Sequence, residues 1–159
     1  MKFALTLSAV IATLTATFFW GLMDHSSSYL DDRCFANFTY TDSTDSNAFS
    51  FKGNIVFEMS KNKTGQFNLS GDMGYQGKNY TLSRYVKFTY TNIKDNSYRV
   101  KVLSQETMAH DNVPADLSPL AIKIFFLSGE YSMHMTKNDN NFITIGNALS
   151  PLMNCVIQS

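Results

Sequence analysis

Alternation of apolar and polar residues dominates the chain after residue 33 and predicts a series of short β-strands. The first strand opens with Cys34, and a longer second strand is expected to bend at Gly53. Strands are predicted at 35–40, 49–57, 67–69, 80–82, 86–90, 98–102, 131–135 and 142–145. Several short strands joined by turns favour an antiparallel meander or a barrel over any helical fold.

The segments between these strands carry turn-forming residues. Turns are predicted at 61–65, 92–96 and 137–141, and Gly71, Gly74 and Gly77 are expected to punctuate the connection after 67–69. One or two helical turns are predicted at 114–120, whereas the apolar run 122–127 is too short to assign by periodicity. The strand at 142–145 is expected to be the last, with 150–155 closing the domain.

The first 23 residues differ from the rest of the chain. Phe3–Met23 contains no charge and no proline, and a helix of this length would measure roughly 31 Å, the thickness of a hydrocarbon core. We therefore predict a cytoplasmic stub at 1–2, a transmembrane helix at 3–23, a linker at 24–33 and an exported β domain at 34–159. A signal peptide cleaved near Ala16 is the alternative, although it would leave an apolar new N-terminus.

Composition narrows the classes of function. The formal net charge is zero and the pI is about 6.8, so no basic surface for nucleic acid is indicated. Aromatic residues make up 14% of the chain, which suits a β-rich domain with an apolar core.

The two cysteines, Cys34 and Cys155, bracket the predicted β domain. In an exported protein such a pair is expected to form a disulfide, whereas two free thiols would suit a cytosolic core. Closing a loop of this length stabilises a fold by about 4–5 kcal/mol in the chain-entropy model.

No catalytic motif is present, so we expect neither an enzyme nor a cofactor. His25, His110 and His134 lack metal-ligand spacing, and no metal site is predicted. His110 and His134 are candidate pH-sensing residues, because imidazole titrates near neutrality. Ordinary surface histidines remain the alternative.

Four Asn-x-Ser/Thr sequons also occur, and they would mark glycan sites in a eukaryotic secreted protein. In a bacterial strand protein rich in Asn, Ser and Thr they would arise by chance, and this is the interpretation that we favour. They begin at Asn37, Asn62, Asn68 and Asn79.

Three segments of the β domain carry a family resemblance together with the anchor. They are Cys34-Phe-Ala-Asn-Phe-Thr-Tyr40, Gly77-Lys-Asn-Tyr-Thr-Leu-Ser-Arg84 and Ile145-Gly-Asn-Ala-Leu-Ser-Pro-Leu-Met-Asn-Cys155. In these features the chain resembles the FidL-like family of small inner-membrane proteins of enteric bacteria. Within that family it is similar to the MyfF and PsaF accessory regulators of fimbriae.

The resemblance implies a co-component of a membrane-bound, ToxR-like transcription activator that controls virulence or fimbrial genes in response to an environmental signal. It implies a single-pass protein of the bacterial inner membrane with its C-terminal domain in the periplasm. As in ToxS and VtrC, that domain would be a lipocalin-like β-barrel, completed by the activator's periplasmic domain and open to a small apolar ligand. The alternatives are an anchored periplasmic ligand-binding module, marked by a fully closed barrel, and a fimbrial assembly factor.

Overall fold

A computed structural model describes residues 33–42, 49–138 and 141–158, and these form eight β-strands and one short helix. The predicted transmembrane helix at 3–23, with its alternative of a cleaved signal, lies outside the described residues. The elements are β1 (Arg33–Asp42), β2 (Phe49–Met59), β3 (Thr64–Tyr75), β4 (Lys78–Lys94), β5 (Ser97–Thr107), α1 (Ser118–Ile124), β6 (Glu130–Asn138), β7 (Phe142–Gly146) and β8 (Pro151–Gln158).

Each strand pairs antiparallel with the next, and β8 returns to pair with β1, so the sheet closes into a barrel in the order β1 to β8. The prediction of a mainly β fold with an antiparallel barrel and a short helical segment is confirmed. Closure needs no strand from a partner, which corrects the expectation of a barrel that a partner completes.

The period-2 pattern works because alternate side chains of a strand point to opposite faces of the sheet. Along β4, for example, Leu82, Val86 and Phe88 are fully buried while Lys87 is exposed. The inward side chains of all eight strands form one apolar core inside the barrel. In the half nearest Arg33, the rings of Phe57, Phe67 and Phe88 pack with centroids 5.5–6.5 Å apart.

The glycine prediction was partly wrong. Gly77 lies in the β3–β4 turn with a positive φ, but Gly71 and Gly74 lie inside β3. Gly71 faces Gly53 of β2, and a methyl group on either would overlap the Phe51 ring and the facing backbone. Gly53 and Gly71 therefore make room for the inward Phe51 ring and do not form a turn.

Two assignments also differ from the predictions. The helix begins at Ser118 and the apolar run after 121 continues it to Ile124, because Pro119 sits in the first turn, where a proline is tolerated. Residues 142–145 are not the last strand. Pro151–Gln158 forms β8, whose alternation is obscured by exposed apolar residues, Leu152 and Val156.

Candidate functional site

The seam between the first and last strands is the weakest point of the barrel wall. β1 pairs with β2 through ten residues, but with β8 only through Arg33, Cys34 and Phe35. Because strand pairing satisfies the backbone N–H and C=O groups of both edges, a three-residue seam contributes little by itself.

A disulfide crosses this seam. Cys34 of β1 and Cys155 of β8 are bonded, with their Cα atoms 5.4 Å apart and both side chains buried. The bond links residues that are 121 positions apart. It therefore fastens the short β1–β8 pairing covalently and leaves no free cysteine in the described residues.

Beyond Phe35, the outer edge of β1 has no strand beside it in the described part of the chain. This edge, Ala36–Thr41, is hereafter the open edge of β1. The edge of β5 is similar, since β6 pairs with it only as far as Lys101 and leaves 103–107 unpaired on that side. Exposed strand edges offer backbone donors and acceptors to any further strand.

In the half of the barrel away from Arg33, the connection between β5 and β6 packs against strands β1 and β2. Its helix α1 buries Ala121, and Phe125 follows directly at the helix C-terminus. The Phe125 ring packs against inward aromatic rings of β1 and β2, with centroid distances of 6.0 Å to Phe38, 6.1 Å to Phe49 and 4.8 Å to Phe51. Phe125 therefore fills the interior at this end.

The same half of the barrel contains a buried ion pair. Arg84 is 4% exposed at an inward position of β4 between Leu82 and Val86, and the Asp111 side chain is 1% exposed. The Nη2 group of Arg84 donates to Oδ1 of Asp111 at 3.1 Å, and Nη1 donates to Oγ1 of Thr107 at 2.7 Å. Nε lies 2.6 Å from Oδ2, but its N–H is not directed at an acceptor, so that contact is ionic and not a hydrogen bond.

Asp111 also fastens the chain that follows β5 onto β4. Its carboxylate accepts the backbone N–H groups of Ser83 at 2.9 Å and of Val113 at 3.1 Å. The backbone N–H of Asn112 adds a bond to the carbonyl oxygen of Thr81. The ion pair therefore holds the start of the segment that carries α1 and Phe125.

This pair was missed at the sequence level. The signal for Arg84 was present, because a charged residue stands at the inward phase of an alternating strand. Nothing in the sequence around Asp111 indicated its partner, since the two residues are 27 positions apart and meet only when 108–113 folds back along β4.

The two candidate pH-sensing histidines lie in different parts of the molecule. His134 is half-buried on β6 opposite Ser97, with Nδ1 3.1 Å from the Ser97 hydroxyl. His110 is exposed in the turn after β5. Because the eleven residues of β5 span roughly 33 Å, the histidines do not form one site. Sensing by either histidine stays a prediction.

Tyr131 of β6 has a perturbed pKa. Burial raises the pKa of Tyr131 to about 12, because the phenolate would lose its hydration. The Phe126 ring packs against it with a centroid distance of 5.4 Å. Within the described ranges no group of three His, Cys, Asp or Glu residues is arranged to hold a metal ion.

These features define a class: a small antiparallel barrel with a packed interior, a disulfide across its β1–β8 seam, and strand edges on β1 and β5 that are not fully paired within the described residues. The family model for FidL-like putative membrane proteins matches residues 71–155, more than half of the chain. The chain belongs to this FidL-like family. The matched range contains Arg84, Asp111 and Cys155, whereas β1 precedes it. A search of curated proteins found no match.

The family is described as one of membrane proteins, which agrees with the predicted membrane location. Residues 33–42, 49–138 and 141–158 contain no helix of sufficient length and apolarity to cross a bilayer.

Proposed function

We propose that this protein is a single-pass inner-membrane co-component of a ToxR-like transcription activator in bacteria. Its periplasmic barrel would bind the activator's periplasmic domain, stabilise or modulate the activator, and so adjust virulence or fimbrial gene expression to an environmental signal. The FidL-like membership supports the membrane setting, and the open edge of β1 carries the proposal of a protein partner.

The open edge favours a partner for a physical reason. Within the described residues no strand pairs with Ala36–Thr41 on this side, and an extended segment of another protein could add one strand there. The disulfide keeps Cys34 in place, so this addition would not require opening of the β1–β8 seam. Anchoring of both proteins in one membrane raises their effective concentration, so a modest intrinsic affinity would suffice.

We also infer that the protein acts by binding and not by catalysis, without a cofactor. The buried charged side chains that stand out, Arg84 and Asp111, have their bonds committed to holding one segment of the chain.

Hydrogen exchange tests the partner proposal. The full-length protein in detergent or nanodiscs is mixed with the periplasmic domain of an activator encoded beside it, and amide protection is compared with and without that domain. We expect new protection at 36–41 and none in β3, whose two edges are already paired. A stable complex without protection at 36–41 would refute the open edge of β1 as the binding site. Absence of any complex would refute the partnership.

A matched pair of substitutions sharpens this test. Thr39→Lys places a charge on the open edge, a device that natural edge strands use against pairing. Asn68→Lys places the same charge at an exposed position of the fully paired strand β3. We expect weaker complex formation only for Thr39→Lys, with equal thermal stability of the two variants.

An anchored ligand-binding module is the second candidate, and the closed sheet favours it. An apolar ligand would have to replace Phe125 among Phe38, Phe49 and Phe51. The dye 8-anilinonaphthalene sulfonate is a suitable probe of that space. Saturable binding to the folded wild type, competed by apolar ligands and blocked by a bulkier Phe125→Trp variant, would support this candidate, whereas no binding to wild type would reject it.

A further inference from the structure

In the half of the barrel away from Arg33, the described strands leave a gap in the wall. β6 pairs with β5 only as far as Lys101, and β8 pairs with β1 only as far as Phe35. Between 103–107 of β5 and the open edge of β1 there is therefore no strand in the part of the chain that the structure describes. We call this gap the window.

Residues 114–128 of the β5–β6 connection, hereafter the lid, span the window. The connection leaves β5, and its Phe125 ring reaches Phe38 on the open edge of β1. Ala121 and Leu127 of the lid are 1% exposed. Four further apolar side chains of the lid pack against the core, namely Leu117, Leu120, Ile122 and Ile124. Apolar contacts therefore hold the inner side of the lid on the barrel.

The described residues show no polar contact between the lid and the barrel. Every backbone hydrogen bond of 114–128 joins two residues of that same segment, as from the Phe125 N–H to the Ala121 carbonyl oxygen. Neither of its charged side chains, Asp116 and Lys123, forms an ion pair with a described residue. The lid can therefore leave the barrel without breaking a backbone hydrogen bond to it, and opening costs mainly the burial of apolar side chains.

Two polar attachments bracket the lid. On its N-terminal side, the buried Asp111 carboxylate accepts the backbone N–H groups of Ser83 and Val113. On its C-terminal side, the Val102 N–H donates to the carbonyl oxygen of Gly129 at 2.9 Å. Gly129 has a φ of 84°, and no heavy atom lies within 4 Å of the place where a Cβ would sit. The chain has room to turn at this residue, so both ends of the lid are suited to act as hinges.

We propose that the lid opens and closes the window as one unit about these two attachments, and so controls the access of small apolar molecules to the barrel interior. Opening uncovers three aromatic rings that Phe125 contacts in the closed state. They are Phe38, Phe49 and Phe51. The seven residues of α1 are too few for a stable isolated helix, so the helix unfolds when the lid leaves the barrel. The lid is a property of the barrel itself and goes beyond the proposed function, since it operates with or without an activator.

Native-state hydrogen exchange, followed by NMR on the full-length protein, tests this opening. We expect the amides of 117–127 to exchange through one shared opening, with a much smaller urea dependence than global unfolding has. The amides of Ser83, Val102 and Val113 should stay protected during that opening. Exchange of all these amides with one free energy and one urea dependence would overturn the lid.

Thiol labelling gives a second readout, because the two native cysteines are bonded to each other and buried. Ala121→Cys places a thiol on the inner side of the lid, and Val86→Cys places one at a fully buried position of β4. The reagent is N-ethylmaleimide, itself a small and largely apolar molecule. Without urea, we expect labelling at residue 121 to be at least about tenfold faster than at residue 86. Equal rates would mean that the lid opens only when the barrel unfolds, which would refute the proposal.

Phe125 and Phe126 supply a matched pair of substitutions. Phe125→Ala removes the ring that holds the lid closed and should raise the labelling rate at residue 121 by at least about tenfold. Phe126→Ala removes a ring that is 49% exposed and should change that rate much less. Equal effects of the two substitutions would contradict the role of Phe125 in closure. The exchange measurement needs no substitution, so it decides the question even if Phe125→Ala fails to fold.

Discussion

At the scale of single residues, Arg84 occupies a position that the strand pattern reserves for an apolar side chain. Burial of a guanidinium is tolerated because Asp111 and Thr107 accept its hydrogen bonds, and Asp111 in turn accepts two backbone N–H groups. A buried ion pair of this kind adds little net stability over an apolar pair, but removal of one partner leaves the other charge buried and unpaired.

Arg84→Met is therefore expected to destabilise the protein by about 3–5 kcal/mol in urea unfolding, because Asp111 keeps its buried charge. The exposed pair of Arg99 and Glu130, 3.5 Å apart, provides the control. Arg99→Met should cost less than about 1 kcal/mol. Equal effects of the two substitutions would show that the Arg84 pair is not desolvated.

The raised pKa of Tyr131 predicts how the free energy of unfolding depends on pH in alkaline solution. Its pKa is raised to about 12 in the folded chain, above the ordinary value of 10.0. Its contribution is therefore fully present below pH 10 and is lost as the pH rises from 10 towards 12. We expect the free energy of unfolding to fall more steeply over that window in the wild type than in Tyr131→Phe. Parallel curves for the two proteins would contradict the raised pKa.

At the scale of elements, the two residues at the C-terminal end of α1, Phe125 and Phe126, have different roles. Phe125 enters the barrel, whereas Phe126 has a φ of 53° and is 49% exposed. The bond from Leu127 N–H to the Ile122 carbonyl oxygen closes the helix around this left-handed residue, a position that glycine usually occupies.

Substitutions at these two neighbours should differ strongly in their effect on stability. Phe125→Ala leaves a cavity among three aromatic rings and is expected to cost about 3 kcal/mol or more in thermal or urea unfolding. Phe126→Gly removes a strained conformation and should change stability by less than about 1 kcal/mol in either direction. A small effect of Phe125→Ala would mean that the ring does not fill the interior.

At the scale of the whole molecule, the barrel is closed by a three-residue seam and one disulfide. We expect replacement of both cysteines by alanine to lower the free energy of unfolding by about 4–5 kcal/mol, since the bond closes a loop of more than 100 residues. Urea unfolding with and without reductant measures this. Unchanged stability after complete reduction would show that backbone pairing suffices for closure.

The phase of most strands was readable from the sequence, because burial of one sheet face imposes a strict period of two, but the segments 80–82 and 86–90 belong to one strand, β4. The pattern misassigned Gly71 and Gly74, since a glycine that makes room for a neighbour on β2, the Phe51 ring for Gly71 and the Ser50 hydroxyl for Gly74, looks the same as a turn glycine. It also missed β8, whose outward Leu152 and Val156 break the alternation. The disulfide and its place between the first and last strands could be proposed from the two cysteines, but not that the strand pairing it crosses is only three residues long.

By itself, the sequence determined a β-rich domain with inward aromatic residues, a cysteine pair around it and an apolar N-terminal segment. These follow from local periodicity, composition and length, which need no knowledge of distant contacts. Tertiary structure alone decided that the chain closes its own barrel, that β1 keeps an open edge and that Phe125 fills the half of the barrel away from Arg33. It also decided that Arg84 meets Asp111. Each of these depends on which strands become neighbours and how far their pairing extends, and such long-range register leaves no mark on the spacing of residues along one strand.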